Sequence, residues 1–313
     1  MLRGTLKPFL CIALSLAAVT AQAADAPKKR DINLDDLARF QRVGAPVVSP
    51  EGDWVLYTVS QTDTKEDKGQ THLWMVKWDG SARLQLTFGK DGASSPRFSP
   101  DGKYISFMSS RPGPAKGAQV WVMDRRGGEA EQLTGVTDQE IEGYSWSPDS
   151  KRLLLTLHPK AEPDAEEGKP PAAVKPFVID RYHFKQDIEG YLRDDAFDSL
   201  YLYDLATKKA EKLTTGKNVE EEDAAWSPDG AWIAFVSNQD VDPDRSNNTD
   251  VFVVAPKAGS AARKLTNWIG PDGGRLAWSP DSKSIAYTQG AELKLLEYSQ
   301  PRPAVVKIGR AHV

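Results

Sequence analysis

Ala225-Trp226-Ser227-Pro228-Asp229-Gly230-Ala231-Trp232-Ile233-Ala234-Phe235-Val236 reads as a strand ending in an aromatic residue, a tight turn, and a second strand. Proline presets φ at the first turn position, aspartate can bond the backbone ahead of it, and glycine accepts positive φ. Alone, this is a hairpin. Its weight comes from repetition.

The phrase occurs five times, with its serine at Ser49, Ser99, Ser147, Ser227 and Ser279, giving steps of 50, 48, 80 and 52 residues. Each copy leads into an apolar strand, at 54–59, 104–108, 153–157, 232–236 and 284–287. Between copies lies a second phrase, an aromatic strand, a turn and a short strand closing on Leu-Thr. Its closing pairs are Leu86-Thr87, Leu133-Thr134, Leu213-Thr214 and Leu265-Thr266. One period therefore holds four short strands, the blade of a β-propeller. The fold expected is all-β, with about five blades forming an incomplete propeller near 47–87, 96–134, 144–214, 224–266 and 276–307.

Blades of this length account for nearly all of the 313 residues without a second domain. The net charge of −4, with acids and bases interspersed and no basic cluster on the blades, speaks against a nucleic-acid partner. At the N-terminus Arg3 and Lys7 precede an apolar run over 9–19, then Ala21-Gln22-Ala23 as a small-residue cleavage site. The run is short for a bilayer span, so residues 1–23 read as a removed signal peptide rather than a stable membrane anchor. Export is expected, to a periplasm. Cys11, the one cysteine, lies inside that run, so the mature chain has neither disulfide nor cysteine-based metal site.

Residues 24–46 form a lead-in, in which Leu34, Leu37 and Phe40 space out as a short helix with Asn33 as a possible cap. That helix is expected to pack as a lid on the propeller. Residues 62–70 and 111–117 read as loops projected onto one face. Blade three is the anomaly, about 30 residues longer than its neighbours. The excess opens with a Pro/Glu/Ala/Lys-rich stretch over 159–175 and continues as an aromatic, strand-like stretch over 176–192. Such an insertion either contacts a ligand or another domain, or extends the blade core through Phe177, Ile179 and Phe184. Residues 240–250 superficially resemble a calcium loop, but Arg245 stands where glycine is needed and Val251 at the bidentate acid position. Blade five lacks a full fourth strand. Residues 308–313 can be spelled ATC GGA AGA GCA CAC GTC, a common sequencing adapter, and read as a non-native tail on a truncated gene.

No catalytic constellation stands out. Gly143-Tyr144-Ser145-Trp146-Ser147 lacks the last glycine of a hydrolase elbow and falls in a blade hairpin. His72, His158, His183 and His312 have neither metal spacing nor a nucleophile partner, and only His183, in the insertion, invites a test. The acids Glu220, Glu221, Glu222 and Asp223 read as a solvated loop. Glycine-rich phosphate loops are missing, and no cofactor is implied.

The repeated Ser-Pro-Asp-Gly and Leu-Thr phrases resemble those of TolB-type propellers and of the propeller domains of the prolyl oligopeptidase family. Three segments favour the latter, in its acylaminoacyl/dipeptidyl peptidase branch: residues 34–60, the insertion from Val178-Ile179-Asp180-Arg181-Tyr182-His183-Phe184-Lys185 to Glu189-Gly190-Tyr191, and residues 237–252. The resemblance covers the propeller part alone. It implies a following α/β-hydrolase domain that carries Ser, Asp and His, with the propeller gating short peptide substrates. No catalytic residue of the family maps onto this chain. By position in the insertion, Asp180, Arg181, Tyr182 and Tyr191 are the candidates for substrate or domain-interface contacts. The chain is thus expected to be the inactive propeller fragment of an exported serine exopeptidase. The alternative is a periplasmic TolB-like propeller that binds a protein partner. A third reading, an enzyme working in its own channel, needs acids or histidines at corresponding blade positions.

Overall fold

The computed structural model describes residues 30–160, 178–179, 181–187, 190–191, 197–216, 219–295 and 298–309. Five antiparallel sheets follow one another along the chain. The first is β1 (Arg42–Val48), β2 (Trp54–Asp63), β3 (Lys68–Lys77) and β4 (Arg83–Gln85). The second is β5 (Ser94–Phe98), β6 (Tyr104–Ser109), β7 (Gln119–Asp124) and β8 (Glu131–Gln132). The third holds β9 (Gln139–Trp146) and β10 (Arg152–Pro159), then a two-stranded ribbon, β11 (Lys185–Gln186) with β12 (Gly190–Tyr191), then β13 (Ser199–Asp204) and β14 (Lys209–Lys212). The fourth is β15 (Glu222–Trp226), β16 (Ile233–Ser237), β17 (Asp250–Val254) and β18 (Arg263–Lys264). The fifth has three strands, β19 (Asp272–Trp278), β20 (Ser284–Gln289) and β21 (Arg302–Lys307). First strands of neighbouring sheets approach one another, β1 with β5, β9 with β15 and β15 with β19, as in the inner ring of a propeller.

Both faces of each inner sheet are buried against its neighbours. In the third blade Leu153, Leu155 and Leu157 join Met108 and Val120 of the second. Leu154, Leu200 and Leu202 join Ile233, Phe235 and Phe252 of the fourth. Alternate side chains of one strand thus fill alternate seams, which is why these strands read as nearly continuous apolar runs. The aromatic residue before each of the last four Ser-Pro turns packs back toward the preceding blade. Trp146 Nε1 donates to Ser106 Oγ at 2.8 Å, and Trp278 Nε1 to the Ala225 carbonyl at 3.0 Å.

The turn serine is fixed by several bonds. Its Oγ accepts the N–H five residues on, at 3.1, 2.9, 2.9, 2.9 and 3.0 Å for Ser49, Ser99, Ser147, Ser227 and Ser279. In the last four copies it also donates to the turn aspartate at 2.6 Å. The fourth turn position is left-handed in all five, φ 84° at Gly52 and 70° at Gly102 and Gly230, but 59° at Ser150 and 58° at Ser282. The two serines offset their strain across the seam. Ser150 Oγ accepts from Asp101 N at 3.2 Å, and Ser282 Oγ from Asp229 N at 3.1 Å, each in the preceding blade's turn.

The N-terminal region departs from expectation. The first strand starts at Arg42, inside the anticipated lead-in. The helix α1 (Leu34–Leu37) forms with Asn33 as its cap, in a full capping box with Asp36. It buries none of its residues, and Leu34, Leu37 and Phe40 stay exposed, so it is no packed lid. Residues 62–70 are mostly strand, with only 64–67 as the turn between β2 and β3. Residues 1–29, where the signal peptide is expected, and 310–313 of the tail lie outside the described residues. Ile308 N donates to the Lys283 carbonyl at 3.0 Å, and Ile308 packs on the blade-four/five core.

Candidate functional site

Because each blade is an antiparallel meander, the five Ser-Pro turns share one face. The connections between second and third strands share the other, together with the links from blade to blade. The blade-three insertion leaves from this connection face. Its two ends meet at the pairing Leu157↔Ser199. There His158 Nδ1 lies 2.7 Å from Asp198 Oδ1, and Asp198 N donates to Glu220 Oε1 at 3.1 Å. Glu220 comes from the link into blade four, so the insertion's neck is tied to the next blade.

The acid run is not the solvated loop expected. Glu221 is 1 % exposed, and its Oε2 accepts Leu200 N–H at 3.0 Å. In blades one, two and four that role belongs to the Leu-Thr threonine: Leu73 N to Thr87 Oγ1 at 2.9 Å, Val120 N to Thr134 Oγ1 at 2.9 Å, Val251 N to Thr266 Oγ1 at 3.0 Å. The seam supplies a backbone donor that an acid satisfies in blade three. Burial and the Asp198 charge push the Glu220 carboxyl up to about 7. Burial also raises Glu221 and Glu222. The link into blade five also buries an acid. Asp272 N donates to the Thr249 carbonyl at 2.8 Å, as Glu221 N does to that of Asp198 at 3.1 Å. Asp272 is fully buried, and beside it Asp250 pairs with Lys264 and accepts from Thr266 Oγ1 at 3.1 Å. Burial raises both carboxyls, and burial and these charges push Tyr287 up to about 12.

Of the four insertion candidates, the structure brings two together. Arg181 and Tyr182 meet Asp244, which lies in the short 3-10 turn Pro243–Arg245 of blade four. Arg181 Nε is 3.6 Å from Asp244 Oδ1, Tyr182 N donates to Oδ2, and His183 N lies 3.1 Å from either oxygen. Arg181 also stacks over Phe197 at 6.0 Å. Tyr191 lies apart in the ribbon, its backbone paired with Lys185. Asp180 and Phe177 lie outside the described residues. Ile179 is exposed and belongs to none of the core clusters, so it does not extend the blade. His183 joins Tyr182 edge to face, ring centroids 5.1 Å apart.

The calcium-like loop satisfies itself. Ser246 Oγ donates to Asp240 Oδ2 at 3.0 Å, Asn238 Nδ2 to the Ser246 carbonyl at 2.8 Å, and Asn248 Nδ2 to Asp240 Oδ2 at 3.2 Å. Among the described residues no group of three His, Cys, Asp or Glu is placed to hold a metal, and no helix is long and apolar enough to cross a membrane. Ser145 sits within β9, opposite Leu154, in strand geometry and not at an elbow. On the opposite face a cleft of about 600 Å³ opens between blades one and two, lined by Trp54, Tyr104, Arg125 and Arg126.

Comparison with known proteins bears on what such a propeller belongs to. Residues 180–304 match the dipeptidyl peptidase IV N-terminal region family. An uncharacterised peptidase of Bacillus subtilis, YuxL, is 30% identical over 228 residues, 72% of this chain and 34% of the relative. Dipeptidyl-peptidase 5 of Porphyromonas gingivalis is 30% identical over 266 residues, 79% of this chain and 37% of the relative. The chain belongs to the propeller part of the prolyl oligopeptidase family. It spans about a third of the length of those curated relatives, 34% and 37%. The fold agrees: an acylaminoacyl peptidase solved with a peptide chloromethyl ketone superposes with TM-score 0.64 at 20% identity, over 87% of this chain and 40% of that one. A TolB structure from Agrobacterium tumefaciens gives 0.52 at 16% identity, over 86% of this chain and 78% of that one.

Proposed function

We propose that this chain is the substrate-admitting propeller of an exported serine exopeptidase that acts on short peptides, in partnership with an α/β-hydrolase domain encoded downstream. The observation that carries the reading is the insertion held on the connection face. It is tied at its neck by His158, Asp198 and Glu220, and farther along by Asp244 of the next blade. A segment anchored on that face at these points can contact whatever binds there. Similarity to a dipeptidyl-peptidase supports an action on peptide ends.

The test uses the intact gene product. It should release dipeptides or single residues from short peptides with free N-termini, turn over more slowly when the N-terminus is acetylated, and react with a serine-hydrolase probe. Lack of probe labelling together with lack of peptide cleavage would remove the peptidase reading and leave a binding propeller.

A further inference from the structure

We infer that Asp244 is the positioning residue of the connection face, fixing the Tyr182–His183 segment of the blade-three insertion where a peptide's apolar side chain can meet it. The inference rests on the peptidase reading above. It adds an acid that lies outside the insertion and has no counterpart in the repeat.

The geometry is that of a backbone clasp. One carboxylate, with 19% of its side chain exposed, receives the consecutive amides of Tyr182 and His183, residues 62 and 61 positions away in the chain. The Asp244 carbonyl closes the loop by meeting His183 Nδ1. Arg181, 20% exposed, balances the charge from the side. A carboxylate that holds two successive N–H groups and a guanidinium fixes direction as well as distance, because its lone pairs lie in one plane. The clasp grips main chain and so leaves the side chains to project. Tyr182 is 69% exposed and keeps its edge-to-face contact with His183.

The acceptor stands on a braced support. Asn238 Nδ2 bonds the Pro243 carbonyl at 3.2 Å and that of Ser246 at 2.8 Å. Asn248 Oδ1 accepts Gly270 N at 2.8 Å, which ties the loop to the link into blade five. Asp244 is therefore held by blades four and five, and it holds a segment that starts and ends in blade three. The connection is thereby anchored at Tyr182 and His183 to the neighbouring blade. For a bound peptide this is preorganisation: an aromatic contact already ordered costs less to engage.

The experiment compares Asp244→Ala and Asp244→Asn with the native chain. Amide hydrogen exchange on the 313-residue chain should show faster exchange at Tyr182 and His183 in the alanine variant, with the core strands and the melting temperature unchanged. In the intact peptidase, KM for apolar short peptides should rise about tenfold, because the aromatic contact must then be ordered on binding, while kcat stays within about twofold. A small chromogenic ester should be hydrolysed as before. Asparagine, which keeps an acceptor but loses the charge, should restore part of the affinity. Unchanged exchange at Tyr182 and His183 would show that the clasp does not exist. Faster exchange with unchanged peptide KM would show a clasp without a positioning role, and so would overturn the inference. A gene product with no peptidase activity would withdraw the peptidase reading itself, and the exchange result would still decide the clasp.

Discussion

On the turn face, five serines at one repeat position make the same bond to the N–H five residues ahead, and two of the five turns add a bridge to the turn before. On the connection face, the links between second and third strands run from four residues at 64–67 to thirty-nine at 160–198. Threonine caps the third strand in three blades and a glutamate in another. Repetition builds the first face because every seam has the same problem to solve, the same amide to satisfy and the same ring to bury. The second face is free to vary because the sheets are already held. Variation there is what a substrate or a neighbouring domain can read.

The comparison makes graded predictions. The largest effect belongs to the seams that both faces depend on. Phe235 is fully buried and stacks on Phe252 at 5.6 Å, so Phe235→Ala should cost about 3–5 kcal/mol in urea unfolding. A cost under about 1 kcal/mol would mean that the blade-three/four seam is not closed as described. Next comes the turn face. Ser227→Ala removes the buried acceptor of the Trp232 N–H and should cost about 1–3 kcal/mol, with Ser99→Ala and Ser147→Ala alike. Unequal costs at the three sites would break the equivalence of the turns.

The connection face should show itself through pH. The folded-state pKa of Glu220 is raised from 4.5 to about 7, by burial first and then by Asp198. A raised acid holds its proton longer in the native state, so stability is fullest below about 4.5 and falls as pH rises through about 7. Glu220→Gln keeps an acceptor for Asp198 N and removes that loss. It should raise stability at pH 8 by about 1 kcal/mol, after allowance for partial exposure, and leave it unchanged near pH 4. A variant equally stabilised at both pH values would place the carboxyl in solvent. The smallest effect is expected at Ser282. Ser282→Gly relieves a left-handed backbone but loses the bond to Asp229 N, so the two should nearly cancel, within about 0.5–1 kcal/mol.

What could be read from the sequence follows the same division. The blades and the four seams with their aromatic residues are legible because each signal is local: the turn, the ring before it, the Leu-Thr behind it. The insertion is legible as an interruption of the period, and Arg181 and Tyr182 fall within it. The acids at its root were misread because burial of Glu221 depends on Leu200 in the preceding blade, and pairing of His158 depends on Asp198, 40 residues on. Asp244 gave no signal at all. It lies in a loop that invited comparison with a calcium site, and its partners are amides, which carry no mark in a sequence. A polar position in the repeat is also visible: His72, Gln119, Ser199 and Asp250 all precede a third-strand apolar run, and all are buried. At Gln119 and Asp250 that position bonds a neighbouring segment, through Val136 and Thr266 respectively.

The most direct measurement of the central claim is to read the genomic DNA beyond the codon for Lys307. The account predicts an open frame that passes through further blades and reaches a Gly-x-Ser-x-Gly elbow, with aspartate and histidine after it. A frame that completes the propeller and stops, with genuine genomic codons for Ile308 to Val313, would contradict it and leave a binding module.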